Sequence, residues 1–231
     1  MFSTRAGGTS LPPYDGLDLG LHVGDDPDRV AANRGLLAGA VGLAPGALVL
    51  AEQVHGSGVA VVDAAAGPLG VAGVDGLVTA TPGLGLVVLA ADCVPVLLAD
   101  PVAGVVGAAH AGRQGLVAGV LQEVLAAMAG LGAVPSRTAA VIGPAVCGRC
   151  YELPAELVAQ VEAAAPGSAA TTRTGAPSSD LVAGARALLR TGGVADVRAV
   201  GGCTVEQPAR CFSYRRDGRT GRHAGLVLLA A

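Results

Sequence analysis

The 231-residue chain contains no lysine, so all 15 of its basic residues are arginine. That absence excludes a Schiff-base lysine for pyridoxal phosphate and a P-loop lysine for nucleotides. Tryptophan is absent too, and aromatic residues make up 2% of the chain. The core must therefore be aliphatic, built from Val, Leu and Ala. Charge is sparse: 15 basic against 18 acidic residues leave a net charge of −3, which is no footprint for nucleic acid. No apolar run is long enough to span a membrane, because Asp92 and Asp100 interrupt the longest ones. The start, MFSTRAGGTS, lacks the apolar stretch of a signal peptide. These absences predict a soluble, cytoplasmic protein. Five cysteines, an odd number, then read as reduced thiols rather than a disulfide framework. G-x-S-x-G, H-E-x-x-H, Walker A and G-x-G-x-x-G motifs are all missing.

What is present is 52% hydrophobic and rich in glycine, with 36 residues. Short Val-, Ala- and Leu-rich runs bounded by Gly or Pro predict strands near 47–54, 59–63, 75–79, 84–91, 94–98, 104–109 and 138–142. Asp26 and Pro27 open a first helix carrying Val30, Leu37 and Val41. A second helix follows His110, with Leu116, Val117, Val120, Leu121, Val124, Leu125 and Met128 at helical spacing up to Gly130 and Gly132. Pro154 opens a third, and Ser178 or Ser179 caps a fourth that carries Leu181 to Leu189. The tail from Cys211 predicts a strand pair joined by an Arg- and Gly-rich turn. Strands dominate the first half and alternate irregularly with helices, which favours a single α+β domain over a doubly wound fold.

His55, Cys93 and His110 each lie at the end of one of these strand-like runs. Groups at strand ends are held open to a cleft by a rigid scaffold. Two imidazoles and a thiolate brought together there form a three-ligand zinc site with a free fourth position, the form of a catalytic zinc. The same residues support a metal-free reading, with Cys93 as nucleophile and His110 as its base. Asp92 is then placed either to orient a histidine or to cap a tight turn.

Further residues carry weaker signals. Cys147 and Cys150 form a C-x-x-C that, with Cys203 and Cys211, offers four thiolates, although the second pair is spaced wrongly for a zinc finger. Arg5, Arg215 and Arg216 offer guanidiniums for a phosphate or carboxylate, and the helix after His110 offers its N-terminal amides at Arg113. His22 lies ahead of the first helix, where it can line a cleft, whereas His223 is expected at the surface.

The blocks STRAGGTS, PYDGLDLGLHVGDDP, EQVHG, DGLVTATPGLGLVVLAADCVPVLLAD, GVVGAAHAG, IGPAVCGRCYEL, GGCT and FSYRRDG occur in this order nearly end to end. In them the chain resembles the multicopper polyphenol oxidase (laccase-like) family, also known as the YfiH or peptidoglycan-editing-factor family. The resemblance implies an α+β domain with a mixed β-sandwich core and flanking helices. It implies Zn2+ on His55, Cys93 and His110, and phosphate-dependent cleavage of inosine, adenosine, guanosine and methylthioadenosine, with adenosine deaminase activity besides. The expected partners are thus purine nucleosides and phosphate, with Arg5, His22 and Arg113 as their contacts, and neither nucleic acid nor membrane. The family's older name implies copper and phenolic substrates, yet four histidines cannot build a multicopper centre. A non-catalytic role in cell-wall editing is the remaining alternative. Two positions depart from the family pattern. Arg113 and Gln114 stand where a Trp-Arg pair is usual, and Asp18 stands where the family has Asn.

Overall fold

The apolar runs become strands that alternate their side chains between separate cores. The computed structural model describes residues 1–67 and 69–230. Helix α1 (Pro27–Ala40) leads to β1 (Leu48–Glu52), β2 (Val59–Val61), β3 (Val71–Ala72), β4 (Gly76–Thr79), β5 (Gly85–Ala90), β6 (Val94–Asp100) and β7 (Val105–Ala111). Then come α2 (Arg113–Ala118), α3 (Val120–Gly130), β8 (Ala139–Ile142), α4 (Ala155–Ala164), β9 (Ala169–Thr171), β10 (Pro177–Ser179), α5 (Leu181–Thr191), β11 (Asp196–Ala199), α6 (Tyr214–Asp217) and β12 (His223–Leu228).

Two mixed sheets result. One has the order β12-β5-β1-β3 and the other β11-β8-β6-β7-β4-β2, while β9 and β10 pair apart from them. In β5, Leu86 and Val88 face an inter-sheet core with Leu97, Val106 and Ala108. Val87 and Leu89 face the opposite way, onto Leu37 and Ala38 of α1. In β6, Val94, Val96 and Leu98 turn outward to Leu121, Val124 and Met128 of α3 and Leu189 of α5. The period-two alternation therefore builds four layers: α1, the four-stranded sheet, the six-stranded sheet, and the helices α2, α3 and α5. Each fully buried Leu contributes about 1.5–3 kcal/mol of apolar burial, and such residues fill all three clusters.

The fold is the expected α+β sandwich with flanking helices, and it corrects four local expectations. The helix after His110 breaks at Gly119, which is left-handed at φ 88°, into the six-residue α2 and the longer α3. The α5 cap is Asp180, whose side chain accepts from the Ala183 amide at 2.9 Å, not Ser178 or Ser179, which lie in or at the end of β10. The tail forms one strand, β12, preceded by the short helix α6 where a second strand was expected. His223 opens β12 opposite Ala90 and is fully buried, not at the surface.

Candidate metal centre and its cavity

β1, β5 and β7 end on the same side of the inter-sheet core. His55 follows β1, Cys93 sits between β5 and β6, and His110 is the next-to-last residue of β7. One ligand atom from each lies within 4.8 Å of the others. The His55 and His110 rings meet edge to face, with centroids 4.9 Å apart.

A residue that sequence reasoning passed over organises this cluster. Asp75, completely buried, precedes β4. Its Oδ1 lies 2.7 Å from His110 Nδ1 and accepts from the His55 amide at 3.0 Å. Its Oδ2 accepts from the Val54 and Gly56 amides at 3.1 and 2.7 Å. These bonds hold His55 at φ 62°, a left-handed conformation rare for a residue with a side chain. A carboxylate on Nδ1 assigns the proton to that nitrogen and leaves Nε2 free as a metal ligand, as is usual for metal-binding histidines. Burial alone would raise the Asp75 carboxyl, but the His110 ring and the amides outweigh it and hold it below its ordinary value.

The same proximity shifts the other partners. Burial pushes the Cys93 thiol up, yet the charge and hydrogen bonds of His110 and His55 bring it down to about 6. Burial also opposes the His110 imidazolium, but the Cys93 thiolate and Asp75 raise it to about 9. Gly112, just past β7, completes the cradle. A Cβ there would stand 2.9 Å from Cys93 Sγ and 3.2 Å from the His55 ring.

The cluster opens into a cavity of about 1100 Å³. His22, Arg34, Tyr151, Arg215 and Arg222 contribute to its wall. Burial first, then the charges of Arg222 and Arg34, lower the His22 imidazole below its ordinary value, which favours its neutral form. The Arg215 guanidinium lies over the Tyr151 ring at 5.0 Å, and Arg215 is thus the member of the Arg215–Arg216 pair that reaches the cavity. Arg216 instead donates to the carbonyls of Thr204 and Cys211 and pairs with Asp217.

Two expected phosphate contacts fall elsewhere. Arg5 pairs with Asp15 at 2.9 Å, stacks on Phe212 and lines a separate shallow depression with Gly16 and Pro208. Arg113 approaches Tyr151 without lining the cavity, and it opens a helix of only six residues. Asp92 orients no histidine. Its carboxylate accepts from the Thr204 hydroxyl and from the Arg215 amide, fastening the cavity wall. The weak signal for Asp75 was a lone carboxylate amid VAGVDGLV, and nothing in the sequence separates Arg34 and Arg222 from other arginines. Among the described residues, no helix is long and apolar enough to cross a membrane.

The family described as multi-copper polyphenol oxidoreductase laccase matches residues 1–230. The chain is 55% identical to purine nucleoside phosphorylase ORF3 of Streptomyces griseus, over 99% of this chain and 93% of that one. It is 52% identical to purine nucleoside phosphorylase Rv2149c of Mycobacterium tuberculosis, over 97% of this chain and 89% of that one. Among solved structures it is similar to YlmD from Geobacillus stearothermophilus, with a TM-score of 0.92 and 33% identity over 100% of this chain and 91% of that one. The Bacillus licheniformis protein YfiH superposes with a TM-score of 0.91 at 32% identity, over 99% of this chain and 91% of that one.

Proposed function

The chain belongs to the multi-copper polyphenol oxidoreductase laccase family, and within it we propose a zinc-dependent purine nucleoside phosphorylase with adenosine deaminase as a side activity. The substrates are inosine, adenosine, guanosine and methylthioadenosine, converted with phosphate to the free base and ribose 1-phosphate (5-methylthioribose 1-phosphate from methylthioadenosine). The names of its relatives support this reading. The observation that carries it is the His55–Cys93–His110 cluster at the base of a cavity walled by three arginines.

The donor set fits a metal ion. Two imidazoles and a thiolate suit zinc, and three protein ligands leave a position for substrate. The buried Asp75 behind His110 is the outer carboxylate such ligands require. Zinc held there supplies a Lewis acid that polarises an electronegative atom of the substrate. Copper oxidase chemistry is poorly served by four histidines, one of which, His223, is sealed in the core.

In phosphorolysis a phosphate oxygen bonds to the ribose C1′ as the bond from C1′ to the base breaks. Arg34, Arg215 and Arg222 supply positive charge on the cavity wall for the phosphate dianion. The neutral His22 offers a hydrogen bond rather than a charge. Tyr151, braced by Arg215, presents an aromatic face beside which a purine can pack.

The low Cys93 thiol beside a raised His110 also favours a second reading, a metal-free cysteine hydrolase in which His110 serves the Cys93 nucleophile. Chelation separates the two, because a hydrolase survives metal removal and a zinc enzyme does not. The direct test incubates the purified protein with adenosine or inosine, with and without phosphate, and resolves products by chromatography. Base release that requires phosphate is the expected result. Hydrolysis without phosphate, or no turnover of either nucleoside, overturns the proposal.

A further inference from the structure

A second group of ligand atoms converges outside the cavity. The sulfurs of Cys147, Cys150 and Cys203 and a carboxylate oxygen of Glu206 lie within 4.8 Å of one another. We propose that these four side chains form a structural zinc site that braces one wall of the cavity.

The backbone builds this convergence. A parallel bridge sets Ala145 beside Cys203. The Ala145 amide donates to Gly202 and the Thr204 amide donates back to Ala145, at 3.3 and 3.1 Å. Gly201 and Gly202, left-handed at φ 88° and 71°, let the chain turn into this bridge. On the other side, the Cys150 amide closes a tight turn onto the Cys147 carbonyl at 2.9 Å. This turn spaces the C-x-x-C sulfurs as paired zinc ligands are spaced. Amides also reach the sulfurs. Cys203 Sγ accepts from the Cys147 amide at 3.4 Å, and the amides of Glu206 and Arg149 lie toward the Cys203 and Cys147 sulfurs. Such outer bonds favour thiolates and fix their direction.

Distance and charge agree with this ion. Tetrahedral zinc with bonds near 2.3 Å needs sulfurs about 3.8 Å apart. Glu206 Oε1 already lies 3.5 Å from Cys150 Sγ and 4.0 Å from Cys147 Sγ, so closing the group takes movements of about 1 Å or less. Three thiolates and a carboxylate with one divalent ion leave two negative charges. Two guanidiniums, Arg149 and Arg173, pair with Glu206 and balance them. Four protein donors leave no open position, which marks a structural rather than a catalytic site. The sequence grouped Cys211 with the other three cysteines; Glu206 takes that place, and Cys211 is buried apart from the group.

The site has a purpose in the fold. Thr204, next to Cys203, holds the Asp92 carboxylate, and Asp92 precedes Cys93. The Val146 amide donates to the Asp92 carbonyl, and both Val146 and Tyr151 line the cavity. Zinc on the four side chains therefore ties together the two loops that flank the Cys93 turn.

The test reads metal, not activity, and so stands apart from the phosphorylase reading. Purified under reducing conditions, the Cys147→Ser, Cys203→Ser double variant should carry one zinc ion fewer than the wild-type chain by elemental analysis. The Cys93→Ser variant has no thiolate left at the first cluster. Loaded with cobalt(II), it should still show intense thiolate-to-cobalt charge-transfer absorption. Glu206→Gln should keep that absorption while weakening zinc binding tenfold or more. Absence of the cobalt band in folded Cys93→Ser protein overturns the proposal. So does an intact mass lighter by two hydrogens with peptide mapping that places the bond between Cys147 and Cys150. The cobalt and mass readouts hold even if the double variant fails to fold.

Discussion

Asp75 Oδ1 stands 2.7 Å from His110 Nδ1 and also accepts the amide of His55, so one buried carboxylate aligns two of the three candidate ligands. Replacing Asp75 by Asn keeps the size but puts an NH2 group where an acceptor is needed. Asp75→Asn should lower zinc affinity or base release on the order of 10–100-fold. It should also cost about 2 kcal/mol of stability through the unmatched amides. Zinc competition with a chromophoric chelator, read beside thermal unfolding, checks both. Unchanged affinity would show that the carboxylate does not position the ligands.

Gly112 offers a separation of site from fold. Its φ of −74° suits alanine, but the added methyl would meet Cys93 Sγ at 2.9 Å. Gly112→Ala should therefore still fold, at a cost of about 1–3 kcal/mol, while activity falls at least about tenfold. Circular dichroism melts and initial rates measured together decide this. Full activity would mean the cluster has room that the geometry denies.

Asp18 should show a pH-dependent penalty. It is fully buried, and burial above all raises its carboxyl to about 6, against the bonds from the Gly20 and Arg222 amides. Among the described residues, its Oδ2 has no hydrogen-bond partner. A carboxyl with a raised folded pKa holds its proton more tightly in the folded state. It therefore weakens the fold above about pH 6, and the penalty fades as pH falls toward the ordinary value of 3.8. The ceiling is about 3 kcal/mol. Asp18→Asn should raise Tm at about pH 7.5, with the gain shrinking toward about pH 4. A gain that is constant with pH would contradict the assignment.

Arg215 separates phosphate binding from the cluster. Its guanidinium reaches the cavity, and among the described residues its hydrogen bond to a carbonyl is a 3.4 Å contact with Glu152. Arg215→Ala should raise the KM for phosphate by about tenfold, the loss of one charge-assisted contact, and leave the nucleoside KM less affected. The same loss on both substrates would place Arg215 in general packing instead.

The strand ends carrying His55, Cys93 and His110 were legible because buried strands leave contiguous apolar runs. Helix α1 was legible from Asp26, which caps it by accepting the Asp28 amide, and from Pro27. Other features depend on what lies across space. Gly119 sits inside an unbroken apolar period, so the break between α2 and α3 left no local mark. His223 reads as a polar strand end, yet the sheet pairing opposite Ala90 buries it. Asp75 reaches His55 and His110 across 20 and 35 positions, and Glu206 reaches Cys150 and Cys147 across 56 and 59, separations at which a lone carboxylate carries no signal.

The most direct test of the central claim pairs metal content with base release in the wild-type chain and in Cys93→Ser. The variant should lose the zinc of the His55–Cys93–His110 cluster and all phosphate-dependent release of adenine and hypoxanthine together. Turnover that survives the loss of that zinc would contradict that claim.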